Sequence, residues 1–223
     1  MKKMLALVCA LLLALPAVAL AFGPSSTPII PGIDVSEFQG RIDFRSVYDD
    51  DIRMVYIRSS LGYSYVDPNF RRNGDSANAA GLEIGYYHFC TAATEADAVR
   101  QAQFFVDTVE NAPRDCRLVL ELDPDRNLDR EAFSNVALAF LGEIMRLTGE
   151  AGAIYASADT ARDKYDARLA VYPLWVADYF VEEPEPNDVW RTWSGFQYSD
   201  RGSVSGIEGR VDLDHFTKEM RVD

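Results

Sequence analysis

The chain has 223 residues, 48% hydrophobic and 26% charged, the balance of a soluble globular protein and not of a disordered or fibrous one. At this length folding buries about 70% of the extended chain's surface, so a core forms without disulfide or metal staples. A formal charge of −13, with no clustered run of lysine and arginine, argues against nucleic acid as a partner.

Residues 1–21 read as a separate object. Lys2 and Lys3 precede twelve unbroken apolar residues, and Pro16 and the small residues Ala17, Ala19 and Ala21 follow. A positive start, a short apolar stretch and an A-x-A ending describe a secretory signal peptide cut after Ala21. The apolar stretch falls short of the ~20 residues that a membrane span needs. The expected product is therefore exported, free of the membrane after cleavage and monomeric, and more acidic once both lysines are gone.

Residues 22–31 form a Pro/Ser/Thr leader that composition predicts to be loosely ordered. Short apolar runs then alternate with helical patterns. Strands are expected over residues 33–36, 54–58, 84–89, 118–122 and 153–155. Thr94 followed by Glu95 and Asp97 reads as the start of a helix running to Val109. Asp129 opens another, with apolar positions from Phe133 to Leu147, and Gly149 ends it. The last third lacks helical periodicity, and residues 174–177, 195–198 and 211–213 read as strands joined by loops. Five βα units followed by three bare strands describe an α/β fold, a single flattened, incomplete TIM-like (β/α)5(β)3 barrel, in one domain over residues 32–223.

Two cysteines, Cys90 and Cys116, remain after the signal segment. Export permits a disulfide. However, Cys90 follows the third predicted strand and Cys116 precedes the fourth, at opposite ends of the barrel. Strand rise separates those ends by ~16 Å, whereas a bridge needs Cα atoms within ~7 Å, so both thiols are expected free. The two histidines, His88 and His215, build no H-E-x-x-H pair, and no paired C-x-x-C occurs, so no metal or other cofactor is expected.

In such a barrel chemistry belongs at the C-terminal ends of the strands. Asp34 ends the first strand, Glu121 and Asp123 end the fourth, and Asp212 lies in the last. Barrel closure makes the first and last strands neighbours, so Asp34 and Asp212 should approach. Glu121 and Asp123 are two apart in a strand and share a face. Four carboxylates in one mouth would push some pKa values up, so that one carboxyl serves as an acid while another stays ionised. With abundant aromatic residues, this is the parts list of a glycoside hydrolase. Signals of other enzyme classes are missing, with no G-x-S-x-G and no G-x-G-x-x-G.

Several motifs resemble glycoside hydrolase family 25 lysozymes. They are Gly32-Ile-Asp-Val-Ser36, Tyr65-Val-Asp-Pro-Asn-Phe70, Gly85-Tyr-Tyr-His-Phe89, Leu174-Trp-Val-Ala-Asp-Tyr179, Phe196-Gln-Tyr-Ser199 and Gly206-Ile-Glu-Gly-Arg-Val-Asp-Leu213. They occur in order across almost the whole mature chain. The resemblance implies a (β/α)5(β)3 barrel and a muramidase that cleaves the β-1,4 bond between N-acetylmuramic acid and N-acetylglucosamine of peptidoglycan glycan strands. It matches Asp34 to the first-strand acid and Asp212 to the last-strand acid. It implies a saccharide groove lined by Tyr87, Tyr155, Trp175, Asp178 and Tyr179, with Gln197 also at the substrate. The fourth strand departs from the family. Where the family has Asp-x-Glu, its Glu being the proton donor, this chain has Glu121-Leu122-Asp123. On that match Asp123 is the expected donor and Glu121 its substitute. The alternative is a catalytically impaired peptidoglycan-binding protein.

Overall fold

The computed structural model describes residues 22–222; the expected signal peptide, residues 1–21, lies outside them. Nine strands form one sheet in the order β1 (Ile30–Val35), β9 (Val211–Phe216), β8 (Gly195–Gly202), β7 (Leu174–Ala177), β6 (Ala153–Ser157), β5 (Val119–Leu122), β4 (Glu83–Cys90), β2 (Met54–Leu61) and β3 (Tyr65–Val66). A further pairing between β1 and β2 closes eight of them into a barrel, leaving the two-residue β3 as a side hairpin on β2. Barrel neighbours from β1 through β8 run parallel, β3 is antiparallel to β2, and β9 is antiparallel to both β8 and β1.

Helices follow the strands only in the first two-thirds. These are α1 (Phe44–Asp49), α2 (Phe70–Ala80), α3 (Glu95–Val109), α4 (Arg130–Thr148) and α5 (Ala158–Asp163), so the barrel is a (β/α)5(β)3 arrangement. The two longest helices have the ends their sequences dictate. Thr94 caps α3 by accepting the Asp97 N–H, while Asp129 caps α4 and Gly149 closes it in the left-handed conformation.

Strand alternation sorts the side chains into two cores. Outward residues such as Ile33, Val55, Ile57, Ile84, Leu120 and Ile154 pack under the helices. Inward residues Met54, Tyr56, Val119, Ala153, Trp175 and Phe216 fill the barrel. Three rings form its floor, with Tyr56 5.0 Å from Trp175 and 5.3 Å from Phe216, and Trp175 5.3 Å from Phe216. Glycines on neighbouring strands make room for them. A Cβ at Gly85 would lie 2.2 Å from the Tyr56 ring.

The leader is not loose, contrary to the compositional expectation. Phe22 is buried, and residues Gly23 and Ser25 exchange backbone hydrogen bonds with Trp193 at 3.0 and 2.7 Å. The Ser25 hydroxyl lies 3.0 Å from that of Ser194 and 2.9 Å from that of Thr217, and Ser26 donates to Glu219 at 2.5 Å. These partners sit at the start of β8 and just beyond β9, so the segment seals the barrel end opposite the carboxylates. Small hydroxyl residues read as disorder when alone; here both serines find fixed partners.

Cys90 and Cys116 are both free and buried. Cys90 ends β4, whereas Cys116 donates its N–H to Ile84 near the start of that strand.

Candidate active site

The inward alternation that places the aromatic floor continues upward into a polar layer. Asp34 follows Gly32 on β1, Arg58 follows Tyr56 on β2, Tyr87 follows Gly85 on β4, and Glu121 follows Val119 on β5. From the other side come Tyr155, Gln197, Asp212 and Asp214. Asp34 lies directly across from Asp212 in the β1–β9 register. A cavity of about 100 Å³ is lined by Asp34, Tyr87, Glu121, Tyr155, Trp175, Gln197 and Asp212. It adjoins a groove of about 490 Å³, whose walls include Glu121, Tyr155, Asp178, Tyr179, Asp159 and Glu185. Glu121 and Tyr155 belong to both.

Hydrogen bonds hold this layer in one arrangement. The Tyr155 and Tyr179 hydroxyls donate to Gln197 Oε1 at 2.8 and 2.6 Å. Gln197 therefore turns its amide N–H toward Asp34 and donates to Oδ2 at 2.5 Å. Below them the Trp175 indole donates to Asp214 at 2.8 Å. Arg58 is tied to Glu37 at 2.9 Å and to the buried Asp67 at 3.2 Å, and it places positive charge beside the mouth.

Burial is the main electrostatic fact of the site. It pushes the Glu121 carboxyl up to about 7; Asp212 and Asp123 add to the rise and Arg58 opposes it. Burial likewise raises Asp212 to about 6, with Asp200 contributing. Asp34 is raised well above the ordinary carboxylate range by burial, then by the charges of Asp212 and Glu121.

Nine of the ten residues singled out from sequence line the cavity or the groove. Asp123 lines neither. The β5 ladder extends to its N–H, which donates to Cys90 at 2.9 Å, and the chain then turns. Its Oδ1 accepts the Asp125 N–H at 3.0 Å, and its Oδ2 pairs with Arg126 at 3.1 Å. Trp175 also differs from expectation. It is 1% exposed and forms the cavity floor, wedged among Tyr56, Tyr87, Tyr155 and Phe216, and so offers no open face to the groove.

Two ionisable residues beside the cavity, one deep and one at the mouth, are absent from the sequence expectations. Asp214 and Arg58 both occupy inward positions. The i, i+2 rule that paired Glu121 with Asp123 would have found Asp214 beside Asp212 and Arg58 above Tyr56. Three of the four expected carboxylates, Asp34, Glu121 and Asp212, line one cavity; Asp123 does not join them, and Asp214 lies beneath them on β9.

The sequence pattern of Glycosyl hydrolases family 25 matches residues 33–207, most of this barrel. The chain belongs to that family. Among family 25 relatives, the autolytic lysozyme of Clostridium acetobutylicum is 31% identical over 191 residues, 86% of this chain and 57% of its own length. The chain thus spans a little over half of that relative. Lysozyme M1 of Streptomyces globisporus is 30% identical over 206 residues, covering 87% of this chain and 70% of the relative. The barrel superposes on the bacterial lysozyme from Streptomyces coelicolor with a TM-score of 0.74 at 27% identity, covering 86% of this chain and 94% of that one. The family 25 fold expected from the motifs is the fold observed.

Proposed function

We propose that this family 25 protein is an exported muramidase that hydrolyses the β-1,4 bond between N-acetylmuramic acid and N-acetylglucosamine in peptidoglycan, with Glu121 rather than Asp123 as proton donor. One observation carries the assignment. Glu121 is the carboxyl that reaches both the cavity and the groove, and burial raises it to about 7, so it holds a proton near neutrality. Relatives named lysozyme support the substrate class.

In this reading a glycan strand lies along the groove against Tyr155, Tyr179 and Asp178. Glu121 gives its proton to the leaving glycosidic oxygen. Positive charge then grows at the anomeric carbon and is met by Asp212 and Asp34, whose carboxylates face the same cavity. The substrate's own N-acetyl oxygen can serve as nucleophile, oriented by Asp212. Asp123, paired with Arg126, adds negative charge beside Glu121 and helps it keep its proton.

The experiment is digestion of purified peptidoglycan with analysis of the new reducing ends. Muramic acid at every new reducing end is the expected result. Glucosamine ends would move the cleavage to the other glycosidic bond. Tight binding to walls with no new ends would make the protein a saccharide-binding relic, the alternative that the Glu/Asp exchange raises.

A further inference from the structure

Asp214 is the fourth carboxyl of the site and the deepest, 1% exposed against 6% for Asp34. It enters the barrel from β9 beside Gln197 of β8 and Gly32 of β1. Its Oδ1 accepts the Trp175 indole N–H at 2.8 Å, while Oδ2 is buried with no N–H or ordinary hydroxyl donor. Asp214 sits opposite Gly32, one inward position below Asp34 on the same face, so the two buried carboxyls are neighbours within reach of a side-chain hydrogen bond. Two carboxylates are both pure acceptors, so such a contact exists only when one of them carries a proton.

The surrounding partners decide which one. Asp34 Oδ2 already accepts the Gln197 amide, whose orientation is set by the Tyr155 and Tyr179 hydroxyls. On Asp214 the Trp175 contact occupies Oδ1 and leaves Oδ2 for the proton. The other ionisable groups facing the pair are Asp212 of β9, Glu121 of β5, Tyr87 of β4, Tyr155 of β6, Tyr198 of β8 and Tyr179 of the loop after β7. These are acids, and negative charge on them favours retention of a proton. Arg58, the guanidinium at the mouth, is committed to Glu37 and Asp67.

We infer that Asp34 and Asp214 share one proton, carried by Asp214, so that Asp214 is a neutral hydrogen-bond donor that positions the Asp34 carboxylate. Asp34 then has two fixed donors, the Gln197 amide and the Asp214 hydroxyl, and its remaining lone pairs are directed at the cavity. Asp214 is a positioning residue that does not reach the substrate. The pair titrates as a unit, as carboxyl dyads do. Its role in turnover rests on the hydrolase reading; the shared proton does not.

The test is a carboxyl-carbon NMR titration of the full chain labelled at aspartate, in the natural protein and in Asp214→Asn. One aspartate should keep its proton well past the ordinary aspartate range and past Asp212. That signal should vanish in Asp214→Asn. The absence of any aspartate that keeps its proton past Asp212, near 6, would overturn the inference, whether or not the protein cleaves walls. In the activity arm, Asp214→Asn keeps an acceptor for Trp175 and an N–H for Asp34, so it should retain clearly more of kcat than a variant that offers Asp34 no donor. Asp214→Leu leaves Asp34 without its second donor, and kcat should fall by up to ~100-fold with little change in KM. A loss in Asp214→Asn as large as in Asp214→Leu would contradict a neutral donor. Failure of the natural protein to release reducing ends would sink the hydrolase reading and leave the titration to decide the proton.

Discussion

Glu121 and Asp123 exchange lengths relative to the family pattern, and the structure gives each a definite place. The longer side chain starts from the deeper inward position and brings its carboxyl to Asp34 and Asp212. The shorter one starts beyond the strand end, and both its oxygens are occupied by Asp125 and Arg126. Turnover on this account needs Glu121 protonated and Asp212 ionised. Activity should therefore rise with pH as Asp212 loses its proton near 6, and fall as Glu121 loses its own near 7. Both limbs belong to the interacting cluster and not to single residues. A pH series of kcat/KM checks this, and a rate that stays flat to pH 9 would remove Glu121 from the donor role.

At the scale of elements, the strands do most of the positioning. Apart from Ala177 on β7, the inward positions just above the aromatic floor are polar, and the alternation that buries Tyr56, Trp175 and Phe216 is what lifts them toward the mouth. That floor depends on neighbouring glycines. Gly85→Ala should cost about 1–3 kcal/mol in urea unfolding, because its Cβ would sit 2.2 Å from Tyr56, which is fully buried. Gly142→Ala is the matched control. It lies on the exposed face of α4 with nothing within 4 Å of the added carbon, and should stabilise by about 0.5–1 kcal/mol. Equal losses at both positions would mean that the ring packing is not what sets the price. The eight barrel strands and the two long helices were legible in sequence because apolar period and caps agree locally. The short helices α1, α2 and α5 were not, because six to eleven residues with few apolar positions carry little periodic signal.

For the whole molecule, closure is the property that brings distant residues together. Closure makes the first and last strands neighbours, which predicts that Asp34 and Asp212 meet, and they occupy directly opposed positions. What local pattern could not show was which contacts the irregular segments make. The leader looked loose because its serines have no partners nearby in sequence; those partners lie at the far end of the chain, at Ser194, Thr217 and Glu219. Asp123 looked like a mouth residue because nothing in the strand pattern announces the turn to Arg126. The cysteines test the barrel's long axis. Two thiols should label in the unfolded, unreduced protein and neither should label readily in the folded one, where burial pushes Cys90 up to about 12. Finding no free thiol would place the two residues together and break the strand assignment.

The central claim is that the proton for bond cleavage resides on Glu121. Glu121→Gln and Asp123→Asn each remove an acid while nearly preserving shape, so clearance of purified cell walls by the two variants, measured side by side with a wall-binding control, is the most direct measurement. Glu121→Gln should lose at least ~100-fold in rate with binding intact, and Asp123→Asn should lose far less. Near-full clearance by Glu121→Gln with Asp123→Asn inactive would reverse the two roles and contradict the account.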